Sequence, residues 1–362
     1  MKTVIDKLNA ALQGGFNVAA KAAVMHADGR MVATWPGDAA PSLAASISTV
    51  QEFFGDDWQD GDVAILNDVN QGATHGSQLT AVAPRFGGGK ISGWTASRVN
   101  VPDLGGWLPG GYSPQAVDRW AEAARFVRAK LLRAGRERRE VSDLLRLNSR
   151  TPKATRHLAL AAANAALELG RVASPSDFEQ AWSLDSATLV EKLQRVAGKV
   201  ATASSKVALP AGWAALEDIK VEVYALGERL RIVTSGPAHS WLPVNLGEHA
   251  SRDLVVAAVA AVLGAQRVET GALASLIEVQ IQGELLAAPT AAGVGLGRET
   301  TGAALHAATC EAAATVLGRH APKDAMQAWL RRETVGALDW STGKLDADSA
   351  SRLLSIESEI PQ

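Results

Sequence analysis

Apolar residues in alternating and helical patterns divide the first part of the chain into short elements. Residues 2–13 predict a short helix. Over 17–35, small and apolar residues alternate on both sides of Asp28-Gly29, and an Asp-Gly step between two such runs is typical of a β-hairpin. Helical spacing of apolar residues predicts a helix over 41–54.

The stretch that follows predicts three strands and an irregular loop. Alternating apolar residues indicate strands over 62–66, 78–86 and 90–99, and the triple glycine at 87–89 predicts a turn between the last two. Residues 102–114 are rich in glycine and proline and match no regular element. Loops of this kind are ordered mostly near sites or interfaces.

Helical patterns dominate the middle of the chain. A long helix is expected over 113–133, followed by helices over 151–170 and 174–200. The apolar face expected for the first of these helices consists of Val117, Trp120, Ala124, Val127 and Leu131. The low-complexity residues 201–205 predict a boundary or loop.

The last part of the chain mixes strands and helices. A third alternating pair covers 218–234, an apolar helix covers 252–263, a strand covers 277–281 and a helix covers 299–317. The remaining tail is polar and expected to be mostly helical.

The order of these elements predicts an α+β fold of β-hairpins and mixed sheets packed with helices, because it lacks the regular strand-helix rhythm of a doubly wound sheet. We expect three units. They are a β-rich unit with the site motifs (1–112), a helical unit (113–205) and a C-terminal α+β unit with a helical tail (206–362).

Composition excludes some classes of partner. The 362 residues include 36 Lys and Arg against 38 Asp and Glu, so the net charge of −2 favours neither nucleic acid nor an anionic membrane. The most apolar window, 254–263, is too short for a membrane span, which needs about 20 residues. With a single cysteine and no apolar run after the basic start, the chain is expected to be cytoplasmic.

Local motifs exclude several chemistries. The glycine-rich residues 293–299 lack the Lys-Ser/Thr of a P-loop, and a flexible loop before a helix is the favoured interpretation. Cys310 lies in an alanine-rich helical pattern where a small buried residue is expected, and no Gly-x-Ser-x-Gly elbow occurs. The arginines between 133 and 139 indicate either a solvated or subunit-facing surface or a phosphate site.

His75 is the histidine that stands out, because it lies in a polar, glycine-rich loop beside a strand. Hairpin geometry brings strand ends together, so His75 and Asp103 are candidates to meet around a cation or an activated water. An ordinary loop histidine is the alternative. Asp68 likewise has two interpretations, as a site residue or as an Asx-turn residue after a strand.

Several segments resemble, in the same order, those of the hydantoinase B/oxoprolinase family. The strongest are Gly61-Asp62-Val63-Ala64-Ile65-Leu66-Asn67-Asp68, Gly72-Ala73-Thr74-His75, Ser97-Arg98 and Asp103-Leu104-Gly105-Gly106. Others are Ala27-Asp28-Gly29-Arg30-Met31-Val32-Ala33, Leu147-Asn148-Ser149-Arg150-Thr151-Pro152 and Ser275-Leu276-Ile277-Glu278-Val279. The likeness spans roughly residues 20–318.

The resemblance implies a subunit of a cytoplasmic, ATP-dependent enzyme. In this family a hydantoinase A-type subunit or domain uses ATP to phosphorylate a carbonyl or enol oxygen, and the B-type part hydrolyses a ring amide or, in acetone and acetophenone carboxylases, carboxylates the substrate. ATP is therefore expected only through a partner subunit. A second B-type subunit is a further expected partner.

The resemblance also implies a divalent metal, because members carry Thr-His-x-x-Asp and His-His-x-Asp stretches that supply its ligands. Here the two stretches read Thr74-His75-Gly76-Ser77-Gln78 and Asn100-Val101-Pro102-Asp103. His75 and Asp103 remain of the recognisable ligands. Since Gln and Asn are poor anionic ligands, we expect a divalent metal to be weakly held or absent.

Two hypotheses follow for function. In the catalytic one, His75 is a base or residual ligand and Asp103 a ligand or base. The residues expected to position the substrate are Asn67, Asp68 and Arg98. In the other, the chain is a non-catalytic structural subunit with a decayed metal site. The chain is short for the family, which favours an auxiliary role, and a monomer of unrelated function is the remaining alternative.

Overall fold

The computed structural model describes residues 21–111, 113–209, 212–264 and 271–326, together with the backbone of 338–339 and 344–345. The predicted helix over 2–13 and most of the tail lie outside the described residues. Where the tail is described, its two short stretches pair as antiparallel strands instead of forming a helix.

Seven antiparallel strands form the first sheet, in the order β2-β1-β5-β4-β3-β6-β7. These strands are β1 (Lys21–His26), β2 (Met31–Trp35), β3 (Val63–Leu66), β4 (Gln78–Gly87), β5 (Lys90–Asn100), β6 (Ala129–Arg133) and β7 (Arg136–Glu137). The hairpins predicted around Asp28-Gly29 and the triple glycine are confirmed.

Helices cover both faces of this sheet. The first, α1 (Ala40–Phe54), packs on one face, where Leu43 and Ile47 meet Leu66 and Val82. The short α2 (Arg139–Leu147) leads into α3 (Pro152–Val172), which packs on the other face. Because both faces are covered, seven consecutive residues at the start of β4 are buried, and the strand does not alternate between core and solvent.

A second sheet has the order β11-β10-β9-β8, with β10 and β11 parallel. Helix α4 (Ser176–Gln194) precedes this sheet. The strands of the sheet and the helices between and after them are, in chain order, β8 (Val200–Ser205), β9 (Ile219–Ala225), β10 (Leu230–Ser235), α5 (Glu248–Leu263), α6 (Ala272–Ser275), β11 (Ile277–Gln282) and α7 (Thr301–Leu317). Helix α7 packs against β8 and β9, and α5 packs against both α7 and α1. Helix α5 therefore contacts the helices that cover both sheets.

This arrangement confirms the α+β prediction. The division into units at 1–112, 113–205 and 206–362 stays a prediction. In the part of the chain that the structure describes, no helix is both long and apolar enough to cross a membrane.

The helix predicted over 113–133 is wrong. Residues 113–128 form turns and irregular chain, and the last five residues of the range are β6, which pairs with β3. Val117 and Trp120, expected on a buried face, are 47% and 60% exposed, whereas Leu131 is fully buried. The charged residues of the stretch have buried partners elsewhere, and these contacts override the helical period.

Two other loop predictions need correction. Residues 201–205 lie in β8, the edge strand of the second sheet, where they pair with β9. The glycine-rich residues 293–299 precede α7 as expected but are almost entirely buried, so they are not a flexible surface loop. The arginines between 133 and 139 surround the β6–β7 turn, where Arg133 pairs with Asp57 on the surface.

The corrected position of β6 gives a stability test. We expect Leu131→Ala to lower the free energy of unfolding by about 2–5 kcal/mol, because it empties a fully buried site between β6 and α3. Val117→Ala should change it by less than about 0.5 kcal/mol, since the side chain is half exposed. Urea denaturation measures both. Equal, large losses for the two variants would support the helix instead.

Candidate functional site

Asn67 clamps the loop between β3 and β4 to the irregular chain before β6. Its side-chain NH2 donates to the carbonyls of Gly76 (2.6 Å) and Ala124 (2.9 Å). Its side-chain oxygen accepts from the Phe126 N–H at 2.6 Å. Asn67 is only 1% exposed, and its amide holds these two segments together inside the protein.

Asp68 is the Asx-turn residue that one interpretation of the sequence expected. Its Oδ1 accepts from the Asn70 N–H at 2.8 Å, and the turn begins a short 3-10 helix. Its Oδ2 accepts from the Arg125 guanidinium, and Arg119 Nη1 lies 3.8 Å from Oδ1. This buried ion cluster fixes the irregular chain at 113–128 against the loop.

Arg98 braces four segments at once. The guanidinium is completely buried. It donates to Thr80 Oγ1 (2.7 Å), Ser42 Oγ (2.6 Å), the Ser42 carbonyl (3.2 Å), Ser46 Oγ (3.0 Å) and the Gly72 carbonyl (2.9 Å). These bonds tie β5 to β4, α1 and the loop that carries His75.

His75 is held by neighbours from the ends of β4 and β5. Gln78 and Asn100 are register partners, and Gln78 Nε2 donates to Asn100 Oδ1 at 3.3 Å. We call these two residues the amide pair. Gln78 Oε1 also accepts from the N–H and hydroxyl of Thr74, and Asn100 hydrogen-bonds to His75. Two of the positions where the family resemblance expects metal ligands, 78 and 100, are thus adjacent in space but carry neutral amides.

Positive charge surrounds the imidazole of His75, which is 3% exposed. Burial lowers the pKa of His75 well below its usual 6.5, and the charges of Arg298, Lys21 and Arg98 lower it further, whereas the hydrogen bond between His75 and Asn100 raises it. The imidazole is therefore neutral at neutral pH. We call Lys21, Arg98 and Arg298 the cation cluster.

Carboxylates from the second half of the chain lie among these cations. Asp253 on α5 is 1% exposed and accepts from the Ser42 N–H at 2.9 Å. Burial raises the pKa of Asp253 to about 7, although Lys21 and Arg98 act in the opposite direction. Glu299 Oε1 lies 3.5 Å from Arg298 Nη2.

Both carboxylate oxygens of Asp103 accept hydrogen bonds from within the protein. Its Oδ1 accepts from the N–H groups of Gly105 (2.9 Å) and Arg150 (2.8 Å). Its Oδ2 accepts from the Gly110 N–H (2.9 Å) and Arg150 Nη1 (3.0 Å). The carboxylate therefore folds the glycine-rich loop onto the segment before α3.

The residues present do not fit a divalent metal. Among the described residues, no group of three or more His, Cys, Asp and Glu side chains is placed to hold a metal ion. Both oxygens of Asp103 are engaged by N–H donors, and the amide pair beside His75 supplies no anionic ligand. The predicted roles of His75 and Asp103 as ligands stay predictions, as do the substrate contacts of Asn67, Asp68 and Arg98.

Glu122 explains the buried glycine-rich loop. Its Oε1 accepts from the N–H groups of Val294 (2.7 Å) and Gly295 (2.6 Å), which are donors of the kind that bind phosphate in nucleotide loops. A Cβ at Gly293 or Gly295 would lie 3.1 Å from this carboxylate oxygen. Burial raises the pKa of Glu122 to about 8, against these hydrogen bonds and the charge of Arg119.

Sequence reasoning missed Lys21, Glu122, Asp253 and Arg298. Two signals were available in the sequence. Lys21 lies in a strand of small residues, and Arg298 and Glu299 directly follow three spaced glycines. Glu122 and Asp253 gave none, because each lay within a helical pattern in which an acid is usually solvated.

The chain belongs to the Hydantoinase B/oxoprolinase family, whose family model matches residues 19–347. The predicted resemblance is thereby confirmed.

Curated relatives match shorter parts of the chain. The beta subunit of caprolactamase from Pseudomonas jessenii is 35% identical over 109 residues, which are 30% of this chain and 19% of the relative. The B-type subunit of a putative D-/L-hydantoinase from Pseudomonas sp. (strain NS671) is 31% identical over 31% of this chain and 19% of the relative. The delta subunit of acetophenone carboxylase from Aromatoleum aromaticum is 33% identical over 28% and 15%. The chain thus matches about a fifth or less of their lengths.

Solved structures share the fold over most of the chain. The ATP-dependent caprolactamase from Pseudomonas jessenii superposes with a TM-score of 0.73 at 19% identity, over 87% of this chain and 58% of that chain. The nucleotide-free acetone carboxylase gives a TM-score of 0.70 at 13% identity, over 82% and 44%. At these identities the likeness shows the hydantoinase B-like fold alone.

Asp103 gives a stability test of its bracing role. We expect Asp103→Ala to lower the free energy of unfolding by about 2–4 kcal/mol, because buried N–H donors lose their acceptor. Asp143→Ala, on the exposed side of α2, should have an effect of less than about 0.5 kcal/mol. Chemical denaturation with and without EDTA measures both. A loss that depends on divalent metal would identify Asp103 as a ligand instead.

Glu122 gives a pH test. A carboxyl whose folded-state pKa is raised from 4.5 to about 8 contributes stability at low pH that is lost as the pH rises through that interval. The variant Glu122→Gln keeps the acceptor oxygen but does not titrate. Relative to this variant, the free energy of unfolding of the wild type should fall by on the order of a few kcal/mol across this pH window. Thermal unfolding from pH 5 to about 9 measures the difference, with exposed Glu140→Gln as control. Parallel curves for wild type and Glu122→Gln would contradict the shift.

Proposed function

We propose that this chain is a subunit of a cytoplasmic, ATP-dependent complex of the hydantoinase/carboxylase type. In this proposal an ATP-using partner of the hydantoinase A type phosphorylates a carbonyl or cyclic-amide oxygen of the substrate. The present chain then acts on the activated substrate, and the same assembly contains a second B-type subunit. Phosphorylation turns a poor leaving group or nucleophile into a competent one.

Family membership supports the proposal, since matched relatives carry the names of subunits of caprolactamase and acetophenone carboxylase. The glycine-rich loop also favours a partner that supplies ATP. Its N–H groups at Val294 and Gly295 already bind Glu122. A nucleotide phosphate would have to displace that buried carboxylate.

The observation that carries the catalytic role is the neutral, buried imidazole of His75 beside the cation cluster. A neutral imidazole accepts a proton from an attacking water or an enol hydroxyl. Nearby cations disfavour the imidazolium but stabilise negative charge that develops on a substrate oxygen. In this proposal His75 acts as the general base, and the same cations that favour the developing oxyanion lower its basicity.

The other predicted site residues act as positioning residues in this proposal. Each of them forms hydrogen bonds with backbone groups of the surrounding loops. These residues are Asn67, Asp68, Arg98 and Asp103. No step is assigned to a divalent metal, because both oxygens of Asp103 already accept hydrogen bonds from the protein and the amide pair supplies no anionic ligand.

A structural subunit is the second candidate function. The amide pair favours it, because neutral amides stand where the family resemblance expects ligands. In this case the chain keeps the fold in order to hold its partners together, and turnover takes place in another subunit.

His75 separates the two functions. We expect His75→Ala and His75→Gln to lower the ATP-dependent turnover of the reconstituted complex by about 100-fold or more, the usual effect of removing a general base. The complex should still assemble, as size-exclusion chromatography with light scattering would show. Steady-state turnover of the complex measures the effect.

The matched control is His157→Ala, which removes an exposed histidine from α3 and should leave turnover unchanged. Full activity of an assembled complex that contains His75→Ala would reject the catalytic role and leave the structural one. Loss of assembly with His75→Ala but normal assembly with His75→Gln would assign its effect to packing, and turnover with the Gln variant would then decide.

A further inference from the structure

Three tryptophans point into solvent from the irregular chain around 102–124 and from a neighbouring loop. Trp107, Trp120 and Trp241 are 59%, 60% and 75% exposed. The other tryptophans in the described part of the chain are buried or only partly exposed. Scattered single apolar side chains are normal on a protein surface, whereas a contiguous patch marks an interaction site. Their relative positions therefore decide what the three indoles mean.

Backbone contacts bring the first two tryptophans together. The Trp107 N–H donates to the carbonyl of Ala121, the residue after Trp120, at 2.7 Å. The half-exposed Val117 precedes Trp120 by three residues in the same stretch. These apolar side chains therefore come from two adjacent runs of the irregular chain.

The loop of Trp241 reaches the same surface through the glycine-rich loop before α7. A Cβ at Gly293 would lie 2.7 Å from the Ala116 carbonyl oxygen and 3.2 Å from the Pro243 Cα, so both chains touch this glycine. Asn245 Nδ2 donates to the Gly293 carbonyl at 2.8 Å and holds the loop there. We call the set Trp107, Val117, Trp120 and Trp241 the tryptophan face.

The tryptophan face carries little charge. Among the described residues of 104–124 and 236–247, Asp118 is the only Asp, Glu, Lys or Arg that is not buried. Arg125 stacks on one indole at the margin and is already paired with Asp68. The described residues of these stretches thus offer no exposed cation to the phosphates of nucleic acids or lipids. An apolar, uncharged surface of another protein is the complementary partner.

The size of the face also fits a protein partner. An aromatic side chain contributes about 150–250 Å² of surface, so the three indoles at their observed exposure present roughly 300–500 Å². A specific interface of standard size buries about 800 Å² on each partner. The indoles alone therefore supply about half of such an interface, and tryptophan is among the residues that most often anchor one.

The chain that carries the face also covers the loop of His75. A Cβ at Gly76, the residue after His75, would lie 2.8 Å from the Ala123 Cβ. Ser77 Oγ donates to the Gly110 carbonyl at 3.3 Å. The stretch that presents the exposed indoles on its outer side therefore packs on the candidate site with its inner side.

We propose that the tryptophan face is the docking surface for the ATP-using subunit of the complex. This inference rests on the proposed function, because it names the surface on which the partner that activates the substrate binds. A subunit bound there adjoins the stretch that covers His75, so the activated substrate has a short path to the base. A second copy of this chain would instead place a subunit with no assigned use of ATP against that cover.

The first test removes one indole from each segment. We expect Trp107→Ser and Trp241→Ser each to weaken binding of the ATP-using subunit at least about 30-fold, since truncation of an anchoring tryptophan costs about 2 kcal/mol or more. Calorimetric titration of one purified subunit with the other measures the affinity, and circular dichroism checks the fold. Leu184→Ser is the matched control, because it removes a 69% exposed apolar side chain from α4 and should leave the affinity unchanged.

The second test keeps the proposal falsifiable if the serine variants misfold. A photoreactive phenylalanine analogue at position 241 should cross-link to the ATP-using subunit, whereas the same analogue at position 184 should not. Cross-linking from position 184 but not from position 241 would overturn the proposed surface.

The outcomes are distinguishable from those of the proposed function. Unchanged affinity of both serine variants for a subunit that binds the wild type would overturn the docking surface and leave the proposed function intact. Failure of the wild type itself to bind that subunit would count against the proposed function. Sedimentation of the wild type and of Trp241→Ser would then show whether a second copy occupies the face, and self-association that is lost in the variant would overturn the choice of partner.

Discussion

Burial of the Arg98 guanidinium is the constraint on which the surrounding structure depends. A guanidinium with no exposed surface must find hydrogen-bond acceptors inside the protein, because the loss of water is otherwise uncompensated. Its acceptors come from β4, from α1 and from the loop between β3 and β4. The positions of these segments are thus coupled to one side chain.

The same interaction extends to the second sheet. Ser42 accepts from Arg98 with its side chain and carbonyl and donates its N–H to Asp253 on α5. Helix α5 in turn packs on α7, which covers β8 and β9. A polar path therefore runs from the first sheet through Arg98 and Ser42 to Asp253 on α5, and apolar packing continues it to the second sheet.

Local pattern was enough to predict elements whose partners are close in sequence. The hairpin around Asp28-Gly29 and helix α1 follow from turn chemistry and apolar spacing alone. The same reasoning failed for 113–128, because the partners of this stretch are far away in the sequence. Arg119 donates to the Ala292 carbonyl, and Glu122 accepts from the Val294 N–H. Apolar residues at helical spacing there are coincidental, and the buried charges decide the path of the chain.

In the candidate site, too, sequence reasoning found the residues that are close in the sequence and missed those that are distant. The family resemblance located the loop of His75 and the glycine-rich loop of Asp103, because those residues are consecutive in the sequence. It gave no indication of Lys21 or Arg298, whose charges act on His75 only in the folded chain. The charge around a site is a sum over the folded structure, and a local motif carries no information about the distant terms of that sum.

The amide pair adds no charge beside His75. A carboxylate at position 78 would be a buried anion that a cation or several N–H donors would have to offset. Gln78 instead accepts from Thr74 and donates to Asn100, so its amide is satisfied while it stays neutral. Arg298 has Glu299 beside it, and Asp253 accepts from the Ser42 N–H next to the hydroxyl that binds Arg98. The buried cations of this region therefore have acidic groups of the same chain near them, and a neutral pair at the ends of β4 and β5 leaves that balance unchanged.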